Sequence, residues 1–215
     1  MIRINMKTIK RPNSLTKITI LIAIFLAVIT YLFYHYNQYG TFHIQNTQSD
    51  NLSVFVDNQE KKINEDLIFK TKKGEHSIIL SQNNFWPWTK TITIEPKSQT
   101  EINPFFVPQN TSGMIIGDAD PEYYSILSLF NKNLINSEII NKINNPTLTE
   151  KITALDYYKD RDDIVVMAIE EGVYAMEITQ ENLQPIYKGS NPKFVKNNND
   201  TLYILDNNSL MIVNY

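Results

Sequence analysis

The feature that most constrains this chain is an uninterrupted apolar run near its N-terminus, residues 18–36, with the sequence ITILIAIFLAVITYLFYHY. The run contains no Asp, Glu, Lys or Arg. As an α-helix it would be about 28 Å long at about 1.5 Å per residue, close to the hydrocarbon thickness of a bilayer. Tyr31, Tyr34 and Tyr36 gather at its C-terminal end, where amphipathic rings favour the membrane interface. The run therefore predicts a membrane-spanning helix.

The residues that flank the run predict its orientation. The residues before it include no acidic side chain and five basic ones: Arg3, Lys7, Lys10, Arg11 and Lys17. Because basic flanks stay in the cytoplasm, residues 1–17 are expected inside the cell and everything after residue 36 outside. A cleaved signal peptide is the alternative, but no small-residue cleavage site follows the run. We therefore expect an uncleaved, single-pass anchor.

Composition narrows the classes of function. The chain after residue 17 has 15 basic against 23 acidic residues, which argues against nucleic-acid binding because that needs a basic face. The absence of cysteine excludes disulfides, thiolate nucleophiles and Cys-ligated metals. No serine-hydrolase, metalloprotease or phosphate-loop motif occurs. No catalytic residue, cofactor or metal site is expected. The frequent Asn, Ile and Lys resemble the bias of an AT-rich bacterial genome.

Residues 41–107 alternate between apolar and polar side chains in short stretches separated by turn residues. This pattern is typical of β-strands in an all-β unit. The predicted strands are residues 41–45, 52–57, 76–80, 89–94 and 100–107. Gly74 is expected at a tight turn before the third of them.

The order of motifs in this stretch resembles the PEGA domain, a small β-sandwich module of bacterial and archaeal surface proteins. The resemblance is carried by "VFVDN", "KKGEHSIIL", the aromatic break "NNFWPW" and the strands that follow it. The matching positions are Val54, Val56, Asp57, Gly74, His76, Ile78, Phe85, Trp88, Ile92 and Ile94. Asn58 stands where the family has a turn glycine, and Asn also tolerates a positive φ. The resemblance implies a PEGA-like β-sandwich over residues 41–108.

The aromatic break at residues 83–88 allows two interpretations. In a PEGA-like module it is the place where one β-layer passes to the other, and Trp88 would fill the core because a tryptophan can bury about 150–250 Å². Phe85 and Trp86 are the candidate contacts to a ligand or partner, because an exposed Trp flanked by Phe could stack on sugar rings. His76 is expected to be an ordinary, hydrogen-bonded strand residue.

The connector, residues 109–151, carries a helix-start signature. Asp120 is expected to cap a helix whose first residue is Pro121, with Glu122 near the positive helix end. Asp118, Asp120 and Glu122 also suggest a calcium cluster, but the stretch lacks the glycine and distal glutamate of an EF-hand loop. Strands are expected around Ile139.

Residues 152–215 contain an internal repeat. A shift of 37 residues superposes residues 156–178 on residues 193–215 without a gap, so that apolar positions and polar turns coincide. A period near 40 with several strands per unit is typical of β-propeller blades. We therefore expect propeller-blade-like antiparallel strands here, which form one blade and most of a second and so make an incomplete propeller. The "KDRDD" tip, residues 159–163, is expected to be a solvated turn. The last strand, residues 210–215, needs an outer neighbour; we expect the connector to supply it and the exterior part to be monomeric, the alternative being a partner chain.

Together these features predict a mainly β, non-enzymatic protein anchored in the bacterial cell membrane, with extracytoplasmic domains that bind or scaffold. The expected partners are the lipid bilayer through residues 18–36 and an envelope protein or polysaccharide. A membrane-tethered subunit of a secretion or cell-division complex is one alternative. A cell-wall-acting enzyme is the other.

Overall fold

The computed structural model describes residues 14–45, 47, 51–143 and 145–215, with side chains from residue 17 onward. Most of the predicted cytoplasmic tail, residues 1–17, lies outside the described residues. The apolar run forms helix α1 (Ser14–Tyr36), and no part of its apolar stretch is buried against the rest of the chain. The helix is long and apolar enough to cross a bilayer, a property that membrane anchors and signal sequences share.

The first unit, residues 39–107, contains seven strands in two sheets. Its strands are β1 (Tyr39–Ile44), β2 (Leu52–Val56), β3 (Gln59–Lys61), β4 (Ile68–Lys72), β5 (Gly74–Gln82), β6 (Trp88–Ile94) and β7 (Gln99–Ile102). The strand orders are β4-β1-β7 and β3-β2-β5-β6. Buried side chains from both sheets enter one hydrophobic cluster. The prediction of a mainly β chain with an N-terminal apolar helix is confirmed.

The sequence reading missed two of these strands and overextended one. Strand β3 is only three residues long and mostly exposed, and β4 has one buried side chain, Phe69, among half-buried and exposed ones, so neither shows the strict alternation that marked its neighbours. The last predicted strand ends at Ile102 instead of residue 107, and Pro104, which follows two residues later, has no N–H to donate to a ladder. The β2–β3 turn places Asp57 and Asn58 at φ of 52° and 63°, the conformation that Asn tolerates.

The second unit, residues 112–215, contains two further four-stranded sheets and three short helices. Its elements are β8 (Ser112–Ile116), α2 (Tyr123–Leu129), α3 (Ser137–Lys142), α4 (Pro146–Thr149), β9 (Ala154–Tyr157), β10 (Ile164–Ile169), β11 (Gly172–Glu177), β12 (Gln184–Lys188), β13 (Lys193–Lys196), β14 (Thr201–Asp206) and β15 (Ser209–Asn214). The strand orders are β12-β11-β10-β9 and β13-β14-β15-β8, with antiparallel pairing throughout. None of the four sheets of the described chain closes on itself.

The internal repeat recurs in the strand pairing. Hairpins β10–β11 and β14–β15 have the same length and the same register, offset by 37 residues. The end pairs are Ile164–Glu177 and Ile169–Gly172 in the first copy and Thr201–Asn214 and Asp206–Ser209 in the second. The coincidence of apolar positions in the sequence thus corresponds to equivalent places in two sheets.

The last strand does have an outer neighbour, and it comes from the connector. β8 pairs with β15 along its whole length, from Ser112 opposite Asn214 to Ile116 opposite Leu210. The expected strands around Ile139 are wrong. That stretch forms α3, because Asn136 accepts the N–H of Glu138 and caps the helix, and the Ile139 side chain is fully buried against the β9–β12 sheet.

The two units share one hydrophobic core. The largest buried cluster contains residues of both, among them Phe42, Trp88, Ile164 and Leu202. Trp88 is only 1% exposed, so its predicted core position is confirmed. The core therefore runs continuously from the first sheet after the helix to the last strand of the chain.

Candidate interaction surface

The most exposed apolar strand among the described residues after α1 is β8. It is the terminal strand of its sheet, and Met114 and Ile115 are 67% and 74% exposed. Successive strand side chains point to opposite faces, so one apolar side chain stands on each face at this edge. A terminal strand also presents unpaired backbone N–H and C=O groups.

A groove accompanies this edge on one face of the sheet. Met114 lies opposite Ile212, which in turn lies opposite Tyr203, so the three side chains form one row across β8, β15 and β14. The groove has a volume of about 320 Å³, and its lining consists of this row together with Ile115, Ile116, Asp120, Pro121 and Glu122. Its floor is apolar and its rim carries two carboxylates.

Helix α2 explains why the groove is open. The helix packs Ile126 and Phe130 over Leu210, whose strand partner on β8 is Ile116. It therefore covers one cross-strand row and leaves the neighbouring row uncovered. Tyr124 of the same helix is 70% exposed and extends the apolar surface beyond the groove.

Asp120 does not cap the helix as predicted. The N-cap is Glu122, which makes no side-chain cap bond, and the helix begins at Tyr123. The carboxylate of Asp120 instead accepts the N–H of Gly117 at 2.6 Å, so it closes the preceding turn. Asp118, Asp120 and Glu122 remain exposed. They give one end of the surface a negative charge.

Phe85 and Trp86, the predicted contact residues, are half-buried at the junction of the two units. The N–H of Trp86 donates to the carbonyl of Val107 at 2.9 Å, and its ring packs against the core. Phe85 forms a β-bridge with Pro108 and an edge-on contact with the Phe106 ring. Both residues thus hold the segment that leads into the second unit.

A buried polar network ties Trp88 to the second unit. The carboxylate of Glu177, a residue only 7% exposed, accepts the indole N–H of Trp88 at 2.8 Å and the ammonium of Lys90 at 2.5 Å. Asn182 donates to Glu177, and its own side-chain oxygen accepts the N–H of the residue that follows Trp88. Burial tends to lower the pKa of Lys90, but the hydrogen bonds and charges of Glu177 and Glu181 outweigh it and raise the pKa. Lys90 therefore carries its positive charge at neutral pH.

A groove of about 430 Å³ beside this network is lined by Lys90, Glu101, Asp163 and Glu177 among others. The oxygens of Glu177 already accept four side-chain donors, since the Thr179 hydroxyl also donates to it at 3.2 Å. We therefore interpret the network as a structural contact that holds the two units together.

The predicted solvated turn at residues 159–163 is docked at the same junction. The guanidinium of Arg161 donates to the carbonyl oxygens of Asn103 and Pro104 at 2.8 and 3.1 Å. It also makes two 2.6 Å bonds to Asp163, whose pKa they lower. Only 22% of the Arg161 side chain is exposed. The turn is thus a structural contact as well as a hairpin tip.

A second cleft, of about 300 Å³, lies between β9 and β13 and is bordered by residues 133–136. Its polar groups are engaged within the protein. Asn136 caps α3, the Asp156 carboxylate accepts the N–H of Tyr157, and Lys196 donates to the carbonyl of Lys159. The Lys196 bond connects the two copies of the repeat, and together the three bonds leave the cleft little to offer a ligand.

The histidines of the first unit are paired with carboxylates. His76 Nδ1 lies 2.6 Å from Asp57, and its Nε2 donates to the carbonyl of Lys72 at 2.8 Å. The bond from His76 lowers the pKa of Asp57. His43 contacts Glu101 at 2.9 Å. Across the described residues, no group of three or more His, Asp or Glu side chains is placed to hold a metal ion.

Comparison with protein-family models and with curated proteins finds no match for this chain. Its function is therefore argued from its own surface.

Sequence reasoning missed Met114 and Ile115, because "SGMII" is too short to show a period. It also missed Glu177 and Arg161, whose partners lie 89 and 58 residues away in the chain.

Proposed function

We propose that this chain is a non-enzymatic, membrane-anchored, extracytoplasmic protein of the bacterial cell envelope that docks a partner protein along β8. The observation that carries the proposal is the free apolar edge of β8, with Met114 and Ile115 more than half exposed. Unprotected edges of this kind recruit further strands, and for that reason natural proteins usually protect them with charged residues or proline. The strand "SGMII" has neither.

The anchoring half of the proposal rests on α1. Its apolar side chains from Ile18 to Tyr36 make no core with the rest of the chain, so a lipid environment is the way to bury them. A uniformly apolar helix on the surface of a water-soluble domain would be costly. We propose that α1 remains attached as the anchor, with the tail inside the cell and both units outside.

The architecture of the exterior part is proposed as a PEGA-like β-sandwich followed by two propeller-blade-like sheets. The β-sandwich is supported by the two sheets of the first unit, which share one core. The propeller-blade-like sheets are supported by the equivalent hairpins β10–β11 and β14–β15. In this proposal β8 completes the second blade, as its fourth strand.

The partner that fits this edge is an extended peptide segment. Its backbone would pair with β8, and its alternate apolar side chains would lie on Met114 and in the groove beside Tyr203, as in other β-augmentation complexes. The acidic residues at 118, 120 and 122 favour a segment with Lys or Arg at one end. A subunit of an envelope complex would use the same surface.

Site-specific photo-crosslinking in intact cells tests the proposal. A photoreactive amino acid at position 115 should give an adduct with another protein, whereas the same amino acid at Leu183, an exposed leucine next to a strand of the other sheet, should give none. Met114→Lys should abolish the adduct at position 115, because a buried ammonium opposes strand docking.

An adduct of twice the mass of the chain would assign the edge to self-association and contradict docking of a different protein. Equal adduct yields at positions 115 and 183 would contradict a specific edge. Release of the full-length chain from membranes by carbonate would contradict the anchor.

A further inference from the structure

The junction between α1 and the first unit is very short. Only Asn37 and Gln38 separate the helix from β1, and their N–H groups still donate to carbonyls of the last helical turn, at 3.1 and 3.3 Å. The carbonyl of Gln38 accepts the N–H of Lys73 at 2.7 Å, which ties the joint to the sheets. The end of the first unit where β1 starts must therefore lie beside the end of α1.

Strand pairing identifies what else lies at this end. Tyr39 pairs with Lys72 at the end of β4, and Gly74, the start of β5, pairs with Ile94 at the end of β6. The exposed lysines collected there are Lys70, Lys72, Lys73 and Lys97, against the two carboxylates Glu75 and Glu95. This end is positive, although the chain after residue 17 has 15 basic and 23 acidic residues.

None of these four lysines is paired with a carboxylate of the described residues. Within the described part of the chain, every ion pair involves other residues. Lys70 lies 4.7 Å from the centre of the Tyr39 ring, and Lys97 lies 5.4 and 5.2 Å from the rings of Phe33 and Tyr36. Aromatic rings and lysines together are typical of the membrane–water interface.

A cleft of about 440 Å³ opens between these lysines. Its lining comprises Tyr36, Tyr39, Gly40, Thr41, Lys70, Lys97, Ser98 and Gln99. Gly40 is needed there, because a Cβ would collide with the carbonyl of Glu95 and would lie 2.8 Å from Ile94. The ammonium groups of Lys70 and Lys97 beside two tyrosine side chains form a site suited to a phosphodiester.

We propose that this cleft binds the phosphate of an anionic phospholipid in the outer leaflet, so that the basic end of the first unit is seated on the membrane. The inference rests on the proposed anchoring by α1. Charge complementarity supports it, because these lysines lie at the end of the first unit that adjoins α1, whereas the chain after residue 17 is acidic as a whole. Attraction of about 1 kcal/mol per lysine corresponds to about a fivefold effect.

Lysine acylation of the full-length chain in lipid nanodiscs tests the proposal. Discs of phosphatidylcholine alone are compared with discs that also contain phosphatidylglycerol, and acylation is measured by mass spectrometry. Lys70 and Lys97 should react about fivefold more slowly in the anionic discs. Lys132 and Lys188, exposed lysines of the second unit, should react equally in both.

Two further arms separate the outcomes. Soluble glycerol phosphate added to the phosphatidylcholine discs should not slow acylation, because only an anchored headgroup has a high effective concentration; equal slowing would overturn the lipid assignment.

The double variant Lys70→Gln, Lys97→Gln should weaken the protection of Lys72 and Lys73 in the anionic discs, whereas the control double variant Lys132→Gln, Lys188→Gln should not. Equal acylation in the two discs would overturn the proposal while leaving the anchor intact, whereas a chain that does not co-purify with the discs contradicts the anchor itself.

Discussion

The bond between Trp88 and Glu177 predicts a measurable coupling between the two units. Trp88→Phe removes the indole N–H and part of the ring while keeping an aromatic side chain. In the native chain it should cost about 1.5–3 kcal/mol for the charge-assisted hydrogen bond and about 1 kcal/mol for the lost packing. Glu177→Ala should cost about 1–3 kcal/mol, because it leaves the buried indole N–H without its acceptor.

The two effects should not add. Once Glu177 is alanine, Trp88→Phe has no bond left to break and should cost only the packing contribution. The coupling energy of the double-mutant cycle is therefore expected to be about 1.5–3 kcal/mol. In this cycle Lys90 retains Glu181, which lies 3.1 Å from it in the native chain, so its charge should not be left unpaired.

Urea unfolding of the full chain in detergent micelles measures this cycle. The other tryptophan, Trp86, is retained in all four proteins, so its fluorescence reports unfolding of the exterior part. A control cycle pairs Trp88→Phe with Glu181→Ala, which touches Lys90 but not the indole, and should show no coupling. A Trp88–Glu177 coupling below about 0.5 kcal/mol would refute the reasoning, because independent sites add to within that margin.

Two further predictions follow from pKa values in the second unit. The bonds from Arg161 lower the pKa of Asp163 below its ordinary 3.8, so they stabilise the fold above that pH and lose their effect as the pH falls through the lowered value. Arg161→Gln should therefore lower the urea midpoint at neutral pH, and the difference from the native chain should narrow below about pH 4; a constant difference would contradict the pairing. Burial raises the pKa of Tyr215 to about 12, so the native chain should lose stability as the pH rises from about 10 to about 12. Tyr215→Phe should resist this alkaline loss, and identical alkaline unfolding curves of the two proteins would argue against a buried phenol.

Features with a local cause could be predicted from the sequence. The apolar run gave α1, alternation gave β2, β5 and β6 close to their bounds, and the 37-residue repeat gave two equivalent hairpins. The core position of Trp88 was expected from the resemblance of the aromatic break to that of a PEGA domain. In each case the signal and the structure lie within one short stretch of chain.

Features that depend on distant partners could not be predicted. β8 is a strand because β15, about a hundred residues later, supplies its pairing groups. Asp120 does not cap α2, because its carboxylate accepts the N–H of Gly117 instead. Glu177 is a charged residue at a position that alternation cannot distinguish from a surface one, and only the fold brings Trp88 and Lys90 to it. The exposed edge at Met114 and Ile115 is likewise a property of sheet order.

The two-residue joint between α1 and β1 also has a mechanical consequence. The joint is hydrogen-bonded both to the helix and to the sheets, and the two units share one core. We therefore expect both units to tilt together with the helix. Transmembrane helices tilt by about 20° on average, and the tilt responds to bilayer thickness. β6 alone extends about 23 Å from the joint at about 3.3 Å per residue, so a change of tilt would be converted into a displacement of the far end by several ångströms. In the proposed anchored arrangement, the thickness of the bilayer would thus influence where β8 meets the proposed partner.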